Sequence, residues 1–285
     1  MMEPDAVVHV AAIQMTSVES AKANLEQAAQ LLQEAHDQGA SLAVLPENFA
    51  GYGVDYRALA AEYERLEQWL CEQASRLGMA IIGGSIPSLT RPDGEPVPAP
   101  QVRTRSLAVS SEGQVVGRYD KLHLFDAQVH DAQGQYRESD FFEPGEAIVT
   151  APLGGVQVGL AICYDLRFPA LAQRLTSAGA ELLVYPSAFT AVTGKAHWEL
   201  LLRATAVQTG CYVLGANQCG QHSPRRASYG HSMLVSPWGD VVASLGNAPG
   251  VLVTPLDLAT LYELRQRMPV QQHQRLRIEG PYDTN

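Results

Sequence analysis

The sequence predicts an α/β fold in which two mixed β-sheets pack face to face with helices on their outer sides. In the first half of the chain, short apolar runs typical of buried strands alternate with helical patterns in the order β-α-β-α-β. In the second half, strand patterns follow one another directly, as at residues 231–236 and 241–245. Helices between strands favour parallel pairing and consecutive strands favour antiparallel pairing, so the combination predicts mixed sheets.

The individual elements follow from apolar periodicity and from residues that begin or end helices. Ser17 is expected to cap the first helix and Gly39 to end it. The predicted strands lie at residues 8–13, 42–46, 79–85, 105–110, 114–119, 156–162, 181–186, 212–217, 231–236, 241–245 and 251–257. The predicted helices lie at residues 20–38, 56–77, 168–178, 197–209 and 258–267. The remaining long stretch at residues 126–146 is predicted to be a loop, and loops of that length are often functional.

Composition bounds the class of protein. The 285 residues are 46% hydrophobic, and a chain of this length can bury roughly three-quarters of its unfolded surface. No repeat or linker divides the sequence, so a single domain is predicted over residues 1–285, with its core at about 8–272. The net charge of −10 disfavours nucleic-acid binding but allows a small anionic substrate beside local arginines.

Two further features bear on where the protein works. No apolar run reaches the ~18 residues needed to span a bilayer, and residues 1–5 are too acidic for a secretory signal. The four cysteines, at positions 71, 163, 211 and 219, form no CxxC pair and no metal-ligand spacing. Reduced thiols in the cytoplasm are therefore expected, with no membrane and no nucleic-acid partner.

Cys163 is the most informative single residue. It follows the buried strand pattern of residues 156–162 and precedes a helical pattern that begins near Pro169. A thiol on a sharp turn between a strand and a helix occupies the position where α/β sheets bind ligands. The N–H groups of the helix are expected to favour the thiolate and so lower the pKa of the thiol. Cys163 is therefore predicted to be a nucleophile.

Two charged residues follow other strand patterns in the same way. Glu47 comes after the strand pattern at 42–46, and Lys121 after the one at 114–119. If these strands and that of Cys163 were parallel and adjacent, the three polar groups would open into one crevice. Glu47 could then take the thiol proton as a general base, which contributes about 10²–10⁴-fold. Lys121 could lower the thiol pKa and stabilise an oxyanion.

Each of these residues also has an ordinary structural interpretation. Cys163 alone could be a small buried hydrophobic residue, Glu47 a turn carboxylate and Lys121 a surface charge. His123 could form a Cys–His pair, although a packing role is favoured. The basic pair at residues 225–226 is expected to be a solvated loop that can attract an acidic substrate tail.

Three blocks resemble the signature sequences of the nitrilase, or carbon–nitrogen hydrolase, superfamily. They are residues 45–47 (LPE), 119–125 (YDKLHLF) and 162–169 (ICYDLRFP). The resemblance covers nearly the whole chain. It implies a four-layer α-β-β-α sandwich, usually dimerised through the helical layer after the cysteine, with neither a metal nor an organic cofactor.

The resemblance also implies roles for particular residues. Glu47, Lys121 and Cys163 match the catalytic triad of the superfamily. Glu138, in the block YRES at 136–139, matches a second glutamate that supports the lysine. The oxyanion site is expected to consist of Lys121 and the backbone N–H of Tyr164.

Finer matches resemble the branch that contains ω-amidases and deaminated-glutathione amidases. The blocks at 185–190, 193–194, 196–199 and 202–204 fit this branch, and those at 122–126, 226–233 and 237–239 favour the second group. The resemblance implies substrate contacts at Arg167, Phe189 and Thr193. Arg167 can clamp a carboxylate with two parallel N–H bonds, Phe189 can line the acyl chain and Thr193 can donate a hydrogen bond. The alternatives are an ion pair between Arg167 and Asp165, and plain core packing of Phe189.

Together these observations predict an amidase that hydrolyses a small anionic α-keto acid amide through a thioester on Cys163. The favoured substrate is deaminated glutathione, giving α-ketoglutarate and cysteinylglycine, and ω-amidase action on α-ketoglutaramate is the close alternative. Two other classes stay open. One is a non-catalytic member that binds a metabolite or a partner, and the other is a papain-like hydrolase that uses His123 or His197.

Overall fold

The computed structural model describes residues 7–276 of the chain. The acidic start of the sequence, on which the prediction of no secretory signal rests, lies outside these residues. Among the helices of the described range, none is long and apolar enough to cross a membrane.

Strands and helices alternate along much of the chain. The strands are β1 (Val7–Gln14), β2 (Leu42–Val44), β3 (Ala80–Ile82), β4 (Ile86–Ser88), β5 (Arg103–Val109), β6 (Val115–Asp120), β7 (Asp126–Gln128), β8 (Gln135–Arg137), β9 (Thr150–Leu153), β10 (Val156–Leu160), β11 (Leu182–Ser187), β12 (Tyr212–Asn217), β13 (Cys219–Ser223), β14 (Arg226–Tyr229), β15 (Met233–Val235), β16 (Val241–Ser244) and β17 (Gly250–Asp257). The helices are α1 (Ala21–Asp37), α2 (Tyr56–Ala60), α3 (Tyr63–Leu77), α4 (Pro169–Ser177), α5 (Ala191–Thr209), α6 (Leu258–Arg267) and α7 (Val270–His273). Two short 3₁₀ turns occupy Glu138–Asp140 and Cys163–Arg167.

Two mixed sheets form the centre of the molecule. The first has the strand order β17-β1-β2-β3-β5-β4, with β6 paired to β5, and the second has the order β16-β15-β12-β11-β10-β9. Strands β1, β2 and β3 run parallel, as do β10, β11 and β12, while the outer strands pair antiparallel. Two separate hairpins, β7-β8 and β13-β14, lie outside these sheets.

The side-chain alternation of β1 shows how the layers are built. Val10 and Ala12 belong to the apolar cluster that also contains Leu160 of the second sheet, whereas Ala11 and Ile13 belong to the cluster on the side of α1 and α3. Successive side chains of a strand point to opposite faces, so one face packs on the other sheet and one on the helices. Helices α4 and α5 cover the second sheet in the same way. The predicted α-β-β-α sandwich of two mixed sheets is confirmed.

The largest difference among the predicted helices is the start of α5, which begins at Ala191 instead of 197. Thr190 caps this helix by accepting a hydrogen bond from the N–H of Thr193 at 3.0 Å. Gly194 lies inside this helix, at a position where the fold requires a glycine. A Cβ at this position would lie 2.2 Å from the Cβ of Tyr229, because α5 packs directly against β14.

Other differences are smaller. The predicted helix at 56–77 is divided into α2 and α3. The first helix is capped by Ser20, whereas Ser17 is buried and donates its hydroxyl to the carbonyl of Phe49 at 3.1 Å. The loop at 126–146 contains the hairpin β7-β8 and the turn Glu138–Asp140. Strands that were not predicted are β4, β7, β8, β9, β13 and β14, which are short and lie mostly at sheet edges or in hairpins.

Candidate active site

Glu47 lies three residues beyond the end of β2, in a turn that neighbouring segments hold in place. Its backbone carbonyl accepts a hydrogen bond from Nε2 of Gln218 at 2.9 Å. Gly84 allows the close approach of this turn, since a Cβ there would lie 2.1 Å from the carbonyl oxygen of Pro46. The Glu47 side chain is buried, so its carboxylate is held in one direction.

Lys121 follows β6 directly, and two carboxylates enclose its ammonium group. Its Nζ donates to Oε1 of Glu47 at 2.8 Å and lies 2.9 Å from each carboxylate oxygen of Glu138. The side chain of Lys121 is only 2% exposed. An ammonium has three N–H donors, so these contacts fix its position. The predicted support of Lys121 by Glu138 thus corresponds to a direct contact.

Cys163 begins the 3₁₀ turn after β10 with a backbone φ of 47°. This left-handed conformation costs a non-glycine residue on the order of 1–2 kcal/mol, so the surroundings must hold it. The buried carboxylate of Asp165 does so, because its Oδ2 accepts the N–H of Ile162 at 2.8 Å and the hydroxyl of Tyr119 at 2.7 Å. Through Asp165, the turn that carries Cys163 is therefore tied to Tyr119 of β6 and to the segment that follows β10.

His123 supports the same carboxylate and does not serve the thiol. Its backbone N–H donates to Oδ1 of Asp165 at 3.0 Å, and its Nδ1 lies 2.7 Å from the same oxygen. The imidazole ring stacks on Phe168 with the centroids 3.7 Å apart. These contacts agree with the packing interpretation of His123. They also show that Asp165 bonds to His123, Ile162 and Tyr119, and not to Arg167.

The pKa of the Cys163 thiol is raised, not lowered. Burial raises it most, the nearby Glu47 carboxylate raises it further, and Lys121 offsets only part of this. The expectation that helix N–H groups would lower the pKa of the thiol is therefore wrong, whereas Lys121 does lower it as expected but is outweighed by burial and Glu47. A short 3₁₀ turn offers less dipole than a long helix, and burial disfavours the charged thiolate. The thiol needs a base to lose its proton.

Lys121 stays positively charged beside the thiol. Burial alone would lower the pKa of Lys121, but the carboxylates of Glu138 and Glu47 outweigh burial and raise it well above its ordinary value. Lys121 is therefore a fixed cation. Burial raises the pKa of Glu138, while its contact with Lys121 limits that rise.

The strands that carry these groups are not adjacent parallel strands, contrary to the sequence prediction. β2 and β6 belong to the first sheet, where β6 pairs antiparallel with β5, and β10 belongs to the second sheet. The site is instead built between the sheets, so the three groups come from both halves of the sandwich. The face-to-face packing of the sheets brings them together.

The groups open into a cavity of about 370 Å³. Among the residues that line it are all those predicted from the sequence: Glu47, Lys121, Glu138, Cys163, Tyr164, Arg167, Phe189 and Thr193. The guanidinium of Arg167 lies over the rings of Tyr164 and Phe189, at 5.7 and 5.4 Å from their centroids, and its Nη2 is 3.2 Å from Nδ1 of His197. Phe189 packs against Trp198 and also lines the cavity, so core packing and a place beside the substrate are compatible.

One important residue of the cavity was interpreted wrongly from the sequence. Arg226 was expected in a solvated loop, but it is 8% exposed and lines the cavity, whereas Arg225 is exposed. Arg225 lies in the turn between β13 and β14, whereas Arg226 is the first residue of β14. Tyr52, Tyr136 and His222 also line the cavity. A basic pair at the start of a hairpin strand could have indicated that one of the two arginines points inwards.

Across residues 7–276, no group of three or more His, Cys, Asp or Glu side chains is arranged to hold a metal ion.

A four-layer sandwich with a buried cysteine, lysine and carboxylate cluster at one cavity defines the class of the protein as a hydrolase of carbon–nitrogen bonds. The family model described as "Carbon-nitrogen hydrolase" matches residues 9–266, and the chain belongs to this family. The chain is an amidase-type enzyme of the nitrilase superfamily.

Comparisons with individual proteins agree with this family assignment. The chain is 43% identical over 275 residues to the deaminated glutathione amidase of Rattus norvegicus, covering 95% of this chain and 83% of that protein. It is 39% identical over 272 residues to the enzyme of that name from Yersinia enterocolitica, covering 94% and 93%. The crystal structure of the Caenorhabditis elegans NitFhit protein matches with a TM-score of 0.85 and 33% identity, covering 95% of this chain and 66% of that fusion protein.

Proposed function

We propose that the protein hydrolyses deaminated glutathione, the α-keto analogue of glutathione, to α-ketoglutarate and cysteinylglycine. The observation that carries the proposal is the Lys121 ammonium, held 2.8 Å from Glu47 and 2.9 Å from Glu138 at the cavity that Cys163 faces. The names of relatives that are 38–43% identical over nearly the whole chain support this choice of substrate.

Acylation begins with the protonated thiol, since the pKa of Cys163 is raised by burial. Glu47 takes the thiol proton while Sγ attacks the carbon of the amide carbonyl. The negative charge that develops on the carbonyl oxygen is stabilised by the Lys121 ammonium and the backbone N–H of Tyr164. The carbon–nitrogen bond then breaks, Glu47 gives its proton to the leaving amine, and cysteinylglycine departs.

Deacylation uses the same groups in the reverse sense. Glu47 takes a proton from water, and the resulting hydroxide attacks the thioester carbon. The carbon–sulfur bond breaks, the thiol regains its proton and α-ketoglutarate leaves. Glu138 touches Lys121 and keeps it charged throughout the cycle, while Arg167, Phe189 and Thr193 bind the substrate.

A comparison of two substrates tests the proposal against its close alternative. The purified protein is incubated with equal concentrations of deaminated glutathione and α-ketoglutaramate, and cysteinylglycine and ammonia are measured. We expect a kcat/KM at least tenfold higher for deaminated glutathione. A preference for α-ketoglutaramate would identify an ω-amidase instead.

The covalent step is tested by mass. After brief exposure to substrate and acid quenching, the intact protein should carry the α-ketoglutaryl group on Cys163, and Cys163→Ala should show neither adduct nor turnover. Binding without turnover or adduct would favour the non-catalytic alternative.

We also propose a cytoplasmic homodimer. The four cysteines are free thiols, which suits a reducing compartment. Leu200 and Val207 of α5 and the nearby Trp238 are exposed by 66%, 49% and 62%. An exposed apolar patch on the helical layer after the cysteine suits contact with a second copy.

A further inference from the structure

Arg226 is a buried cation that forms no ion pair with a carboxylate in the part of the chain that the structure describes. Its Nε contacts the hydroxyl of Tyr52, its Nη2 contacts the carbonyl of Ala188, and its Nη1 donates to the hydroxyl of Tyr136 at 3.1 Å. A guanidinium has five N–H donors, so two are left over. The Asp131 carboxylate accepts a hydrogen bond from the Tyr136 hydroxyl at 2.7 Å and feels the charge of Arg226, but it forms no ion pair with Arg226.

A buried guanidinium without an anionic partner is costly, and such an arrangement is expected where a ligand supplies the anion. Arg226 is 8% exposed and lines the same cavity as Cys163. Its side chain also lies over two aromatic rings, with its central carbon 5.5 Å from the Tyr52 centroid and 5.0 Å from that of Tyr136. These contacts hold the guanidinium plane in place before any ligand arrives.

The charge of the whole cavity supports an anionic ligand with more than one charge. Its lining contains four permanently cationic side chains and three carboxylates, although the chain as a whole has a net charge of −10. Lys121 is already neutralised by Glu47 and Glu138. Arg167, like Arg226, forms no ion pair within residues 7–276. The buried Arg226 and the partly buried Arg167 are therefore left for the substrate.

We propose that Arg226 binds a second carboxylate of the substrate, so that the cavity selects amides with one carboxylate on each side of the cleaved bond. Arg167 binds one carboxylate and Arg226 the other, each through parallel N–H bonds. This inference rests on the proposed function and deepens it. Deaminated glutathione has a carboxylate on the keto-acid side and another on the glycine, whereas α-ketoglutaramate has only one.

A different role for Arg226 makes a different prediction. The carbonyl of Ala188 contacts Arg226, and the N–H of Ala188 interacts with the thiol of Cys163. If Arg226 acted only by holding this peptide, its removal would slow the reaction of every substrate by the same factor. Only a carboxylate-binding role makes the loss depend on the charge of the substrate.

The experiment uses three substrates of similar size. The first is deaminated glutathione, the second its glycinamide, which lacks the leaving-side carboxylate, and the third 4-oxopentanoyl-cysteinylglycine, which lacks the acyl-side carboxylate. Values of kcat and KM are measured for the wild type, Arg226→Met, Arg167→Met and the matched control Arg225→Met. Arg225 is the exposed neighbour of Arg226, so its replacement tests the loss of positive charge alone.

We expect Arg226→Met to lower kcat/KM about 10²-fold for deaminated glutathione and for one singly charged substrate, mainly through KM. The other singly charged substrate should change less than about threefold, since its missing carboxylate is the one that Arg226 binds. Arg167→Met should give the opposite pattern, and Arg225→Met should match the wild type. Equal losses for all three substrates, the same pattern for both arginines, or no loss would each overturn the inference.

Two further measurements separate the possible failures. Arg226→Lys keeps the charge without the fork of N–H donors, so it should lose less on the same two substrates, and it replaces Arg226→Met if that variant does not fold. Calorimetry of deaminated glutathione binding to Cys163→Ala, with and without Arg226→Met, tests the inference without turnover. If the wild type cleaves none of the three substrates, the proposed function fails, while unchanged affinity on losing Arg226 overturns the carboxylate site alone.

Discussion

The ammonium of Lys121 lies 2.9 Å from both carboxylate oxygens of Glu138, although the two residues belong to different local elements. Lys121 follows β6, and Glu138 begins a 3₁₀ turn after the hairpin β7-β8. This contact and that of Glu47 keep a buried cation charged beside a neutral thiol. The contribution of the Lys121–Glu138 contact to activity can be tested directly.

Replacing Glu138 with glutamine preserves the shape of the side chain but removes its charge. The pKa of Lys121 should then fall, because one of the two carboxylates that raise it is lost. We expect kcat/KM to decrease about 10²-fold, as is common when one oxyanion-stabilising group is weakened. Steady-state kinetics provides the measurement. Asp140→Asn, an exposed change in the same turn, is the control, and equal activities of the two variants would contradict the role of Glu138.

The raised pKa of Cys163 predicts slow alkylation at neutral pH. Because a raised pKa leaves the thiol protonated, its rate of reaction with iodoacetamide should rise with pH through at least pH 9 without reaching a plateau. A plateau near pH 7 would indicate a resting thiolate and contradict the structure.

In the same alkylation assay, we expect an unusual result for the Glu47→Gln variant. This variant should lose amide hydrolysis, because the general base is gone. Its alkylation profile should nevertheless shift to lower pH, since the Glu47 carboxylate raises the pKa of the Cys163 thiol and glutamine does not. An unshifted or upward-shifted profile would show that Glu47 does not act on the thiol electrostatically.

Asp165 is predicted to hold the nucleophile turn. Asp165→Asn replaces an acceptor of several N–H and O–H groups with a group that is partly a donor, leaving buried donors of Ile162, Tyr119 or His123 without a partner. We expect the free energy of unfolding to fall by about 2–4 kcal/mol, with a lower kcat. Urea denaturation and kinetics measure both.

The His123→Ala variant distinguishes a supporting role of His123 from a papain-like mechanism. The ring contacts Asp165 and Phe168, so its loss should reduce stability and lower activity only modestly, whereas Lys121→Ala should abolish activity. Full loss of turnover in a well-folded His123→Ala variant, with Lys121→Ala active, would reverse the assignment.

The proposed dimer is tested at α5. Leu200→Glu places a charge on the exposed apolar surface of α5 and should convert a dimer into a monomer, measured by light scattering after size-exclusion chromatography. Glu199→Gln, an exposed change next to it, should leave the mass unchanged. A wild-type monomer, or a Leu200→Glu dimer, would contradict the proposed interface.

The sequence-based predictions succeeded where local pattern decides. Buried strands appear as short apolar runs, and reactive residues directly after them indicated Glu47, Lys121 and Cys163 as candidates, although each also had an ordinary structural interpretation. Glu138 has no such pattern around it, because it lies in a turn between a hairpin and a loop, and only the family resemblance pointed to it. Arg226 was missed because a charged side chain in a short hairpin strand looks solvated until its neighbours are known.

The order of apolar and polar residues along the chain was enough to predict the layered α/β class and to indicate Glu47, Lys121 and Cys163 as candidate catalytic residues, since both depend on short-range periodicity. Tertiary structure alone decided which strand ends meet, which sheet supplies each group and how the thiol ionises. Those properties depend on burial and on charges contributed by segments far apart in the chain, as the Lys121–Glu47 contact between residues 74 positions apart illustrates.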